Sequence, residues 1–265
     1  MRKLNIFSYF VLRKVANMSK VENKAGFTLA RGATHVDTPP TNAKAGFTLA
    51  EILITLGIIG IVAAMTMPAL MANINKRQTE TKLKKAYSMI NQAYRLSYNE
   101  VGDATASDAH TMGIREYFKT YWQPYIKADV CTTYKGCGYN ANSPWTKLNG
   151  EKEGTGLING NTRIPFYTPD GIMYVIYVTT FGSKEGEANG QIIVDINGPK
   201  QPNRFGKDTF VFVRNQTEGG VEIVPAGNTA NEKNINQNCS TSGKGTVCAE
   251  KIRRAGWKID STYPW

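Results

Sequence analysis

From Ile52 to Ala72 the chain runs ILITLGIIGIVAAMTMPALMA, 21 residues without one charge. As a helix rising 1.5 Å per residue this segment is about 31 Å long, the thickness of a bilayer's hydrocarbon core. A helix buried in a soluble domain carries an apolar stripe, whereas this one is apolar all round. Gly57, Gly60 and Pro68 are tolerated in a membrane, where neighbours re-satisfy freed backbone groups. One membrane-spanning segment is therefore expected, and it limits the fold to whatever the flanking residues build.

What precedes the run is basic. Residues 1–46 hold eight Lys or Arg against two acids, so +6 of the chain's +11 net charge lies there, leaving +5 for residues 47–265. A basic stretch ahead of an apolar helix places the N-terminus in the cytoplasm and the long remainder across the membrane. The bulk charge that suggests a polyanion partner thus belongs mostly to an orientation signal. Inside the apolar block sits one charge, Glu51. A buried carboxylate costs about 2.5–3.5 kcal/mol even on a mild insertion scale, which makes a function the default reading. The alternative is that Glu51 sits at the interface, favoured by the helix N-terminal dipole.

The residues around Glu51 decide between these readings. Lys44-Ala45-Gly46-Phe47-Thr48-Leu49-Ala50-Glu51, followed by the apolar run with Pro68, closely resembles the class III signal of type IV pilins and type II secretion pseudopilins. The resemblance implies that a prepilin peptidase cuts between Gly46 and Phe47, and that the new terminus at Phe47 is N-methylated. Glu51 becomes the fifth mature residue and Pro68 the twenty-second. It also implies an assembly role for Glu51, pairing with the Phe47 α-amine of a neighbouring subunit in a dry helix bundle. Lys24-Ala25-Gly26-Phe27-Thr28-Leu29-Ala30 repeats residues 44–50 letter for letter. Arg31 and a polar, Pro-containing stretch follow it, so only the second copy is expected to be cut. The leader starts at Met1 or at Met18.

Beyond Ala72 the pattern turns amphipathic. Leu83, Ala86, Tyr87, Ile90, Ala93 and Tyr94 recur at helical spacing, which predicts one helix over about Thr48–Asn99, ending before Gly102. Residues 103–160 are rich in Gly, Asn, Ser, Thr and Tyr, with a short helix expected over Gly113–Tyr125. Strand signals follow at Thr162–Tyr167, Ile172–Phe181, Gln191–Ile196, Thr209–Arg214 and Val221–Val224. Their short connections require antiparallel pairing. The expected class is α+β, pilin-like: one long N-terminal helix, half transmembrane and half amphipathic, packed on an antiparallel sheet of about four strands. The expected divisions are a removed cytoplasmic leader over 1–46, a membrane half over 47–72, an amphipathic half over 73–102 and a globular head over 103–265.

Cys131, Cys137, Cys239 and Cys248 all lie in the part placed outside the cytoplasm, where an even number suggests disulfides. Three pairings exist. The local one, Cys131 with Cys137 and Cys239 with Cys248, closes two short loops worth roughly 2–3 kcal/mol each and is the expectation. Zinc lacks its CxxC spacing here. Asp195, Asn197 and Asp208 are candidate calcium ligands in an oxygen-rich loop, although a self-bonded turn is the preferred reading, and no cofactor is required. No catalytic set stands out, and His110 is the one histidine after the leader, which argues against a membrane-anchored enzyme. Lys251, Arg253, Arg254 and Lys258, near Trp257 and Trp265, form a modest basic patch. A solvated helix face is the preferred reading of these residues, and a minor pilin that binds DNA or a surface ligand is the alternative. The leading expectation is a structural subunit of a type II secretion pseudopilus or type IV pilus in the inner membrane. Its partners are then the prepilin peptidase and other subunits, with nucleic acid not expected.

Overall fold

A computed structural model describes residues 47–178, 190–217 and 220–265. The leader with Gly46, the duplicated heptapeptide, both candidate starts and the last three residues of the strand expected over Ile172–Phe181 lie outside the described residues. The chain divides into two compact units between Leu56 and Gly57.

Helix α1 spans Leu49–Glu100, 52 residues. Its first turns, up to Leu56, are exposed throughout, with Leu49 at 77%. Within the second unit the large apolar side chains of Ile58, Ile59, Ile61, Val62, Met65, Met67, Leu70 and Met71 are likewise uncovered, Ile59 at 63% and Met65 at 76%. Among the described residues this is the one helix long and apolar enough to cross a membrane. From Thr79 the burial pattern changes. Leu83, Ala86, Ile90, Ala93 and Tyr94 are buried at the spacing of a single helix face. The helix ends where Gly102 adopts a φ of +107° and its N–H reaches back to the Ser97 and Tyr98 carbonyls.

Two short helices follow, α2 (Ala106–Met112) and α3 (Ile114–Tyr121). The sequence predicts a single helix beginning at Gly113; instead Gly113, at φ +84°, separates two. The missed one begins with a capping box in which Thr105 and Asp108 exchange backbone and side-chain hydrogen bonds. Strands β1 (Asp129–Val130), β2 (Arg163–Tyr167), β3 (Met173–Val178), β4 (Gly190–Asp195), β5 (Thr209–Thr217) and β6 (Gly220–Pro225) form one antiparallel meander in chain order. The class is α+β as the sequence indicates, with six strands rather than four. Helices α4 (Glu232–Asn238) and α5 (Cys248–Arg254) close the chain.

Both faces of the sheet are covered. Along β3, Tyr174 and Ile176 join the core under α1, whereas Met173 and Val175 join a second core with Tyr139, Trp145, Leu157 and Phe205. This is the two-residue alternation of a strand. The Gly- and Asn-rich stretch 131–160 is thus the cover of the second face, anchored by Trp145, which is 1% exposed. Helix and sheet are also joined by polar links. Asn91, buried on α1, gives Nδ2 to the Ile223 carbonyl (2.8 Å) and accepts the Ile223 N–H (3.0 Å). This occupies backbone groups of an edge strand that would otherwise invite pairing. Lys85 pairs with Asp170 at 2.7 Å, in the turn between β2 and β3 where Gly171 has φ +79°. Arg214 on β5 binds Asp103 just past α1, and Tyr94 donates to the same carboxylate.

Candidate functional site

The N-terminal site begins at Phe47, 83% exposed. The next four residues build a helix start. Thr48 donates its N–H and its hydroxyl to Glu51 Oε2, each at 2.8 Å, while the Glu51 N–H donates to Thr48 Oγ1 at 3.2 Å. The Thr48 carbonyl accepts from the Ile52 N–H, so Thr48 is the N-cap and Glu51 the reciprocal partner three residues on. Sequence reasoning missed this cap although its signal, Thr-x-x-Glu ahead of an apolar run, is present. One carboxylate oxygen is therefore engaged locally, and among the described residues Oε1 makes no hydrogen bond. A carboxylate that is capped on one oxygen and open on the other can still take a cation brought by another chain.

The four cysteines form two bonds, Cys131 to Cys137 and Cys239 to Cys248. The second is wholly buried, with Cys239 at 1% and Cys248 at 0% exposure. It ties α4 to α5.

Asp195, Asn197 and Asp208 come together at the ends of β4 and β5. Asp195 is fully buried, with Oδ2 accepting from the Tyr139 hydroxyl (2.9 Å) and Trp145 Nε1 (3.0 Å). Asp208 accepts the Asn203 N–H (2.8 Å), the Arg204 N–H (2.6 Å) and Asn197 Nδ2 (3.1 Å). Burial pushes both carboxyls above the ordinary carboxylate range, and the charge of Asp208 adds to the rise at Asp195. Asn197 turns its amide nitrogen toward Asp208. Among the described residues no three His, Cys, Asp or Glu side chains gather as a metal cluster. The arrangement holds the long β4–β5 connection against the second core.

The basic C-terminal patch is largely spent inside the chain. Arg253 and Arg254 bind Glu250, Lys258 reaches Glu80 at 3.5 Å, and Lys251 Nζ donates to the Thr262 carbonyl. Cations engaged this way offer little to a phosphate backbone.

Comparison with known families agrees with the N-terminal site. Residues 41–67 match the prokaryotic N-terminal methylation motif, and residues 69–149 match a family of unknown function (DUF6613). No curated protein and no solved structure matches the chain. The match at 41–67 encloses Gly46, Phe47, the Thr48–Glu51 cap and most of the apolar run, and it supports the class III signal of the type IV pilin and pseudopilin kind expected there.

Proposed function

We propose that the chain is a prepilin-type structural subunit that assembles into a type II secretion pseudopilus or a type IV pilus. A prepilin peptidase cuts between Gly46 and Phe47 and the new terminus is methylated. Residues 47–72 then anchor the protein by a single pass in the inner membrane, with the head outside the cytoplasm. The observation that carries this reading is the methylation motif placed directly before an uncovered apolar helix. The motif is one of structural subunits, and the work of such a subunit is mechanical: polymerising to push cargo or extend a fibre. In the filament, Glu51 of one subunit meets the α-amine of its neighbour, neutralising two charges that are each costly alone in apolar surroundings. Mass spectrometry of the mature protein should find N-methylated Phe47 as the first residue. A mature terminus at Met1 or Phe27 would overturn the reading.

No metal is required in this reading. Calcium takes six to eight oxygens, whereas Asp195 and Asp208 already accept from at least five N–H and O–H donors. The melting temperature is expected to be the same in excess calcium and in excess chelator. A rise with calcium would make Asp195, Asn197 and Asp208 a metal site after all.

A further inference from the structure

Beyond α5 the backbone turns sharply. Gly256 at φ +70° and Trp257 at φ +63° lead it away from the helix, while the Trp257 N–H is still held by the Ile252 carbonyl at 2.8 Å. A bulky side chain rarely takes that conformation, and it persists where the surrounding contacts over-determine it. From there residues 257–265 run back along α1. The Trp257 ring centroid lies 4.9 Å from that of Tyr87. The Ile259 N–H donates to Glu80 Oε1 at 2.7 Å, and Trp265 lines one cleft with Asn75 and Gln78. From Tyr87 to Asn75 these meeting points descend α1 by about 18 Å, toward the apolar run. The segment is a strap laid antiparallel on the first extramembrane turns of the helix.

The strap is tied to the rest of the head independently of α1. Lys251 Nζ on α5 donates to the Thr262 carbonyl at 3.2 Å, and the buried Tyr263 hydroxyl donates to the Gly206 carbonyl in the β4–β5 connection. On α1, the first buried residue after Ala72 is Thr79, 7% exposed. Glu80 follows, its side chain 11% exposed. Among the described residues it is the first α1 side chain to hydrogen-bond a later element. A pull arriving along the membrane half of α1 therefore meets the head first at Glu80. Contacts in a row along a helix are strained one after another when the helix is peeled from one end, so the first link takes the most force. Glu80 suits that place. Its carboxylate accepts a backbone N–H, a charge-assisted bond stronger than a neutral one, and Ile259 is itself buried. Lys258 reaches the same carboxylate at 3.5 Å but is 73% exposed, so it adds little.

We propose that this strap is the joint through which α1 passes mechanical force to the head, with Glu80 as its positioning residue. Without Glu80 the turns of α1 up to Tyr87 lift from the strap while the sheet stays folded. The use of the joint under force rests on the filament assembly proposed above. Hydrogen exchange of the full-length protein in detergent reads local opening of this kind. Glu80→Ala leaves the buried Ile259 N–H without its acceptor. The amides of residues 79–87 and 257–263 should then exchange about tenfold faster, the change for one lost hydrogen bond to a charged group. Amides of β3 and β4 should keep their wild-type rates. Glu80→Gln, which retains an oxygen for the Ile259 N–H, should fall between and gives a reading even where the alanine variant does not fold. Unchanged exchange in both segments, or equal acceleration in β3 and β4, overturns the proposal. The first would mean that the strap holds without Glu80, the second that Glu80 serves the fold as a whole. Trypsin digestion of filaments under shear then tests the force itself, with Glu80→Ala expected to be clipped at Lys82, Lys84 or Lys85 about tenfold faster than wild type. Equal clipping sinks the joint alone, whereas a wild-type chain that forms no filaments sinks the filament reading and the role under force with it.

Discussion

Glu51→Ala should leave the chain cut and inserted but nearly absent from filaments, with incorporation reduced roughly a hundredfold. That factor corresponds to one uncompensated charge in apolar surroundings, about 2.5–3.5 kcal/mol, here the Phe47 α-amine without its carboxylate. The structure adds a competing cause, because Glu51 also caps its own helix through Thr48. Losing an N-cap costs only about 0.5–2 kcal/mol, and two further substitutions separate the contributions. Glutamine suits the capping box as well as glutamate, so Glu51→Gln keeps the helix start and removes the charge. If pairing governs assembly, Gln should fail as Ala does. Thr48→Ala is the converse, weakening the cap while keeping the carboxylate, and should assemble at near wild-type levels. Counting subunits in sheared filaments, with membrane fractions checked for processed protein, gives the answer. Rescue by Gln would show that the cap, not the charge pair, is what assembly needs.

The division between what could and could not be read from the sequence follows the range of the interactions. The apolar run, the charge at Glu51 and the amphipathic stripe from Leu83 to Tyr94 are local patterns, and α1 ends within one residue of its expected limit. The strands were visible because β-branched runs alternate between Gly and Asn turns. What stayed hidden depends on distant partners. Strand β1 is two residues long and exists only by pairing with Phe166 and Tyr167. The stretch 131–160 looks like loop by composition, yet Trp145 and Leu157 make it the cover of a sheet face. Asn91 looks like a polar break in a helical stripe until Ile223, 132 residues away, supplies its partner. Helix α5 is legible as a basic helix face at Lys251–Arg254, but its anchoring by the Cys239–Cys248 bond and a buried carboxylate is not.

That carboxylate, Glu250, should carry a large stability effect in the head. Its side chain is 0% exposed and receives Arg253 Nε and Nη2, both at 2.7 Å, and Arg254 Nε at 2.8 Å. Arg254 in turn donates to the Asn228 and Ala230 carbonyls, so one acid organises α5 and the segment after β6. Removing one member of a fully buried pair costs about 3–5 kcal/mol. Arg253 and Arg254 keep 40% and 29% side-chain exposure and can turn to water, so about 2–3 kcal/mol is expected for Glu250→Ala. For a protein of this size that lowers the melting temperature by roughly 5–10 °C. Glu250→Gln, with one acceptor oxygen left, should fall between. The effect should depend on pH with a definite sign. Burial alone would raise the Glu250 pKa, but the hydrogen bonds and charges of Arg253 and Arg254 outweigh it and hold the carboxyl below its ordinary value. A depressed folded-state pKa gives stability that is complete above the unfolded value, near about 4.3, and is lost as pH falls through the folded one. Asp195 and Asp208 are shifted upward and act in the opposite sense, losing stability as pH rises, but both are present in wild type and variant and cancel in the difference. The gap between wild type and Glu250→Ala, measured by thermal unfolding of the full-length protein in detergent, should therefore be constant from pH 8 to 6 and shrink on approach to pH 3. A gap that stayed unchanged at acid pH would mean that α5 is held by packing and its disulfide, with the ion pair contributing nothing.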